Sequence, residues 1–214
     1  MADFDKAQTL MQTNEWELLE DTAAGSPYWE SAELLLPDEI GAVIHIDLCH
    51  RDANAVAAGS EPEIIVLIKS GAAGQGTDDD KWHELIRYEG TGGTALTNAL
   101  DAESAAGQKA VNLTNTSSFQ VQGKKYFLDD NDAIANDEII ICQNVTNAGA
   151  GGEVFAFDNL SNTFASGDDI FSIVDQWNVR IPKEVQVTKV LAVPHDADAT
   201  FAIRVRASKA ADIV

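Results

Sequence analysis

Trp177-Asn-Val-Arg-Ile-Pro182-Lys-Glu, Val185-Gln-Val-Thr-Lys-Val-Leu-Ala-Val193, Pro194-His-Asp-Ala-Asp-Ala199 and Phe201-Ala-Ile-Arg-Val-Arg206 follow one another at the end of the chain. Two runs rich in β-branched residues flank a turn of Pro, Asp and Ala, the pattern of a β-hairpin. Phe201, Ile203 and Val205 alternate with Ala202, Arg204 and Arg206, which predicts one buried and one wet face. A related pattern stands 145 residues earlier, where Leu36-Pro37-Asp-Glu-Ile40 matches Ile181-Pro182-Lys-Glu-Val185. His50-Arg-Asp-Ala-Asn-Ala55 then answers His195-Asp-Ala-Asp-Ala199, and Ile64-Ile-Val-Leu-Ile-Lys-Ser70 answers Phe201 to Ser208. A hairpin near each end is the expectation, with Ala42–Cys49 and Ile64–Lys69 as the strands of the first.

Between these ends the sequence predicts more short strands: Trp16–Glu20, Ser31–Leu36, Trp82–Tyr88, Ala110–Leu113, Ser118–Val121, Lys125–Leu128, Glu138–Val145 and Val154–Phe157. No long stretch has helical periodicity, although Asp5–Gln12 suits a short helical turn. Gly90–Lys109, Gly-rich and then Ala-rich, reads as a long surface loop and candidate contact loop. Asn147–Gly152 reads as a flexible tip. Many short strands separated by polar turns predict an all-β, antiparallel β-sandwich or jelly roll with long surface loops. Residues 1–30 form an N-terminal arm and first strand, and residues 31–214 a single β-sandwich domain. A chain of 214 residues is long enough to bury such a core.

The charge balance is strongly acidic, with 35 acids against 14 bases and a formal net charge of −21. Such a surface repels phosphate, which argues against nucleic acid and against an anionic membrane as partners. The charge is also uneven. Residues 1–64 hold Lys6 and Arg51 against fourteen acids, whereas Gln176 onward holds six bases against four acids. Poles of opposite sign pair either within one fold or between neighbouring subunits. Arg180, Lys183, Arg204 and Arg206 are therefore the candidate interface residues, and Trp29, in the turn Ser26-Pro-Tyr-Trp-Glu, is the aromatic expected to be most exposed.

Chemical motifs are few. Gly71-Ala-Ala-Gly-Gln-Gly76 lacks the Gly-Lys-Ser/Thr ending of a phosphate loop, and Asp78, Asp79 and Asp80 follow it at once. Asp129-Asp-Asn-Asp132 is the best cation candidate, yet Ala133 and Ile134 occupy the fifth and sixth positions of an EF-hand reading, so a polar Asx turn is the simpler account. His45 and His50 are five apart in a strand and so face opposite ways, which argues against a shared zinc. Cys49 and Cys142 lie in apolar runs without C-x-x-C spacing, so buried reduced thiols are expected, with a single disulfide as the alternative. No Gly-x-Ser-x-Gly elbow is present, and no metal, cofactor or catalytic residue is assigned. Trp16, Tyr28, Trp29, Trp82 and Trp177 are candidate sugar platforms, with packing in the core or at an interface the commoner role for such residues. The N-terminus lacks the basic and apolar regions of a signal peptide.

Gly123-Lys-Lys-Tyr-Phe-Leu-Asp-Asp, Ala135-Asn-Asp-Glu-Ile-Ile-Ile and the closing Trp177-Asn-Val-x-Ile-Pro-x-Glu-Val resemble tailed-bacteriophage virion proteins, in particular the β-sandwich auxiliary proteins that decorate capsids or sit at the neck and tail. The resemblance spans about the last ninety residues and brings no functional residues with it. It implies a non-enzymatic capsid decoration protein located in the virion after assembly in the host cytoplasm. Its expected partners are copies of itself, often as a trimer, and a major capsid or other virion protein. A phage neck, tail or fibre component and a carbohydrate-binding β-sandwich module are the alternatives.

Overall fold

The computed structural model describes residues 15–20, 28–35, 42–69, 81–119, 121–146, 150–182, 185 and 187–209. In chain order the strands begin with β1 (Glu17–Glu20), β2 (Trp29–Glu30), β3 (Leu34–Leu35), β4 (Ala42–His50), β5 (Ala55–Val56) and β6 (Glu63–Lys69). Then come β7 (His83–Glu89), β8 (Gly93–Thr94), β9 (Thr97–Ala99), β10 (Ala110–Asn115), β11 (Lys125–Asp129) and β12 (Glu138–Thr146). The last are β13 (Ala150–Ala156), β14 (Asp169–Phe171), β15 (Val174–Ile181), β16 (Val187–Val193) and β17 (Thr200–Lys209). Every strand pair is antiparallel, as the all-β reading expects.

The two sequence repeats do not fold as hairpins. β4 pairs with β15 and β17, whereas β6 pairs with β7 and β16. Each repeat is an arch whose first strand lies in one sheet and whose second lies in the facing sheet. The arches interlock, because the first strand of each pairs with the second strand of the other: His50 stands opposite Phe201 and Val193 opposite Glu63. Alternation defines which face of a strand is buried but does not name its neighbour, so the strand runs are where they were expected and their pairing is not. The connector 51–62 is also long for a hairpin turn, and facing sheets lie about 10 Å apart, a gap that a longer arch crosses.

Sheet one has the order β1-β17-β4-β15, and sheet two the order β2-β16-β6-β7 with β3 also on β16. They enclose a core that includes Ile44, Ile46, Leu48, Ile64, Val66 and Ile203. Trp177 of β15 stacks on Tyr88 of β7 at 5.4 Å and closes one side of this sandwich.

The segment between β7 and β15 builds a second body. Its six strands run β10-β13-β12-β11-β14-β9, and the two ends of that sheet meet through the Leu100–Leu113 bridge and a 3.1 Å bond from Thr114 Oγ1 to the Ala99 carbonyl. The sheet thus curls into a small barrel filled by Phe119, Tyr126, Leu128, Phe164 and their neighbours. Gly90–Lys109 is a surface loop only in its second half: the first half carries β8 and β9 and buries Ala95 and Leu100, whereas residues 101–109 are turns and bends that are mostly exposed. Residues 118–119 form a turn and not the expected strand, with the Phe119 N–H donating to the Thr116 carbonyl at 3.0 Å. The expected tip at Asn147–Gly152 is partly strand, since β13 begins at Ala150.

Two neighbouring crossings join the bodies. Thr91 donates its N–H (2.6 Å) and Oγ1 (2.7 Å) to Asp175, and Leu96 and Ser172 exchange bonds of 2.8 and 3.0 Å. A third apolar cluster of Trp16, Cys49, Ala95, Phe127, Phe171 and Ala202 seats the barrel on the outer face of sheet one.

Candidate functional site

The seam between barrel and sandwich concentrates the chain's buried charge. Along β4, Ile44, Ile46 and Leu48 point into the sandwich core, so the alternate residues Asp47 and Cys49 point out toward the barrel. Gln176 and Arg204 stand directly opposite Asp47 on the flanking strands. Asp47 is 2% exposed and accepts Gln176 Nε2 at 2.5 Å, Arg204 Nε at 3.0 Å, Arg204 Nη2 at 2.8 Å and Arg206 Nη2 at 2.9 Å. Arg204 also lies over the Trp16 ring, 4.2 Å from its centroid.

Beside this row opens a cleft of about 360 Å³ whose walls come from both bodies: Gln176 and Arg204 from the sandwich, Lys125, Glu138, Ile139 and Ile141 from the barrel. Glu138 accepts the backbone N–H groups of Ser161 (2.9 Å) and Asn162 (3.3 Å), and burial holds its carboxyl above the usual range. Ile141 and Phe157, 39% and 44% exposed, are joined by a backbone bond from Phe157 N to Ile141 O, so an apolar strip adjoins the cleft.

A second polar knot lies deeper in the seam. Arg51 Nε donates to Asp129 at 2.8 Å, and Trp16 Nε1 donates to the Asp137 carbonyl at 2.6 Å. Burial, then the neighbouring Asp129 carboxylate, pushes the Asp137 carboxyl up to about 8, and burial also raises Asp129. Asp130 bonds the N–H groups of Asp132 (3.0 Å) and Ala133 (3.1 Å) and the Asn136 amide (2.7 Å), which is the Asx-turn chemistry expected for this loop. Among the described residues, no group of three or more His, Cys, Asp or Glu side chains is placed to hold a metal ion.

Of the sequence-derived interface candidates, Arg180 is exposed on β15, where only β4 pairs with it among the described strands. Arg204 and Arg206 are engaged on Asp47, while Lys183 lies outside the described residues. Trp29 is not an open platform. It is half-buried in β2, packs on the sandwich core and donates its indole N–H to Glu17 at 2.7 Å, because β2 pairs with β16 and turns the ring inward. Trp82 carries Lys69 and Lys189 over its ring at 5.0 and 4.5 Å, and Trp16 is buried. The poles of opposite charge meet inside the chain at these residues: Asp47 with Arg204 and Arg206, Glu30 with Lys189.

His45 faces outward, bonded to Asn178 at 2.6 Å and Ser208 at 3.0 Å. His50 is buried against Phe201, with Nε2 on the Thr91 carbonyl at 2.9 Å, and burial lowers its basicity. The two thus take opposite faces. Cys49 and Cys142 are both buried and free. Gly71–Gly76 and Asp78–Asp80 lie outside the described residues, as does the helical turn expected at Asp5–Gln12. Sequence reading missed Asp47 and Asp137. Asp47 had a signal: it is the acid inside the apolar run Ile44-His-Ile-Asp-Leu-Cys49, facing a strand with two arginines.

No protein-family model matches the chain, and no curated protein matches it. A structure of infectious bursal disease virus, Gt strain, superimposes with a TM-score of 0.19 at 10% identity, covering 79% of this chain and 65% of that chain. For the Gx strain the values are 0.16 and 11% over the same shares. This chain therefore spans 65% of the length of those chains. Superpositions this loose establish no common fold. Among the described residues no helix is long and apolar enough to cross a membrane.

Proposed function

We propose that the protein is a non-enzymatic structural protein of a virion, a capsid decoration or auxiliary protein that docks on the major capsid lattice and associates with copies of itself. The observation that carries this reading is how the seam uses its reactive side chains. Gln176, Arg204 and Arg206 are each bonded to Asp47 within sheet one, and Arg51 ties the sandwich to Asp129 of the barrel, so the groups that chemistry would need are engaged in holding strands and bodies together. What the surface offers outward is the material of a protein contact: the exposed Ile141 and Phe157, with Val121 57% exposed, and the exposed Arg180. The resemblance of residues 123–141 and 177–185 to bacteriophage virion proteins supplies the capsid setting. A neck, tail or fibre position is the alternative placement within that class.

The test is assembly in solution. The full chain is sized by sedimentation velocity and mixed with empty capsids of a phage that encodes it, and bound copies are located by electron microscopy. Regular occupancy of the lattice is the expected result. A monomer that leaves capsids bare overturns the decoration role, and capsid-free binding on a glycan array that disappears in Trp29→Ala would replace it with sugar recognition.

A further inference from the structure

Two bonds cross the deep seam, and both end on neighbouring acids of the barrel: Arg51 reaches Asp129, and Trp16 reaches the Asp137 carbonyl. Both acids are 3% exposed. Asp137 Oδ1 accepts the Asp130 N–H at 2.8 Å, while Oδ2 is buried without a hydrogen-bond partner. The pair adjoins the third apolar cluster: Trp16 bonds the Asp137 carbonyl, the Asp137 N–H donates to the Ile134 carbonyl, and Asp129 follows Phe127 by two residues on β11. Two ionised carboxylates would stand here against a single guanidinium, leaving one uncompensated charge in an apolar setting, which is costly enough that a proton is retained instead.

Among the described residues, Arg51 is the cation that acts on the pair, and no second one balances that charge. Cys49 of β4 faces the pair with a thiol that burial keeps protonated. Asp169 of β14, opposite Asp129 in the ladder, adds negative charge, and Asp130 is turned onto its own loop. Asp168 is occupied by the N–H groups of Ala165 (2.7 Å) and Asn131 (3.3 Å). Arg204 lies over Trp16 but is bound to Asp47.

We propose that Asp129 and Asp137 share one proton and form a latch that keeps the barrel seated on sheet one, and that loss of this proton to solvent releases the seat. The raised pKa of Asp137, about 8, agrees with release in mildly alkaline solution. The device is independent of the virion reading, since it concerns how two bodies of one chain hold together.

Trp16 is its reporter, because its indole N–H ends on Asp137. The four tryptophan indole signals of the full chain are followed by proton–nitrogen NMR from pH 6 to 10, with Trp16 identified by its absence in Trp16→Phe. The latch requires the Trp16 signal to move through a single transition near pH 8 and Asp137→Asn to abolish it. Asp129→Asn, which leaves one carboxyl for one guanidinium, also removes the transition and covers the case in which Asp137→Asn does not fold. A Trp16 signal that is constant over this range, or an unchanged transition in either folded variant, overturns the proposal.

Discussion

Asp47 and Arg204 face each other across the β4–β17 ladder, and Asp47 Oδ2 receives Arg204 through Nε at 3.0 Å and Nη2 at 2.8 Å. The same oxygen receives Arg206 at 2.9 Å, so one buried carboxylate organises two guanidinium groups. Asp47→Ala leaves both arginines, 18% and 36% exposed, without their acceptor. Losing the charge-assisted hydrogen bonds to this carboxylate, with the guanidinium groups still open to water, costs about 1.5–3 kcal/mol. Denaturant unfolding of the variant is expected to show that loss, whereas Asp47→Ala together with Arg204→Met recovers part of it. An equal loss in single and double variants would mean that the pair does not interact.

Arg180 separates contact from stability. Exchanging Arg204 or Arg206 for Glu places a carboxylate against Asp47, so their reversal damages the fold before it informs on any partner. Arg180 is exposed at the edge of sheet one, and surface exchanges of this kind change stability by about 0.5 kcal/mol or less. Arg180→Glu is therefore expected to unfold at the wild-type denaturant midpoint while weakening self-association or capsid binding. Wild-type association in this variant removes Arg180 from the interface.

Much of the fold was legible from alternation alone. In β17, Ile203 and Val205 are buried and Arg204 and Arg206 are turned to the opposite face, as period-two patterning requires. The repeat between the two ends was also visible, and it corresponds to two interlocked arches. What the sequence withheld was pairing, because β4 carries apolar residues on both faces, Ile46 inward and Cys49 outward, and such a strand accepts several neighbours. The barrel closure was hidden for a related reason: Thr97-Asn-Ala99 has no apolar signature, and only its place beside β14 makes it a strand. At the site, arginines announced themselves as a basic pole, but their partner was a single acid far away in sequence.

The pH dependence of stability is expected to lean toward acid. Burial raises Glu138 above its ordinary value of 4.5 and Asp129 and Asp169 above 3.8. A raised carboxyl contributes stability that is fully present below its unfolded value and is lost as the pH climbs through its folded value. His50 acts the other way: lowered from 6.5 by burial, it contributes stability above 6.5 that is lost as the pH falls through its folded value. Repulsion within a chain of net charge −21 adds to the loss on the alkaline side. Thermal midpoints should thus peak on the acid side of neutrality and decline toward pH 8.5. Glu138→Gln, which keeps an acceptor for Ser161 and Asn162, should reduce that decline. A wild-type midpoint that rises steadily from pH 5 to 8.5 contradicts the assignment.

Gly90 sits where sheet two gives way to the neck of the barrel, and its place depends on having no side chain. A methyl group there would lie 2.8 Å from Pro62 Cγ and 3.2 Å from both Leu48 Cδ2 and the Pro62 carbonyl. The Gly90 N–H donates to that same carbonyl at 2.8 Å, and a proline ring cannot swing aside as a flexible chain end would. Gly90→Ala should therefore cost about 1–3 kcal/mol, the range for forcing a methyl into a packed site. Because Thr91 follows at once and holds Asp175, the loss should appear first as faster protease cleavage between barrel and sandwich. Gly59→Ala is the control. Gly59 has a φ of 86° with open space around it, so its substitution strains the backbone locally and should leave cleavage at the neck unchanged. If both variants are cleaved at the wild-type rate, the neck is not held by this close approach.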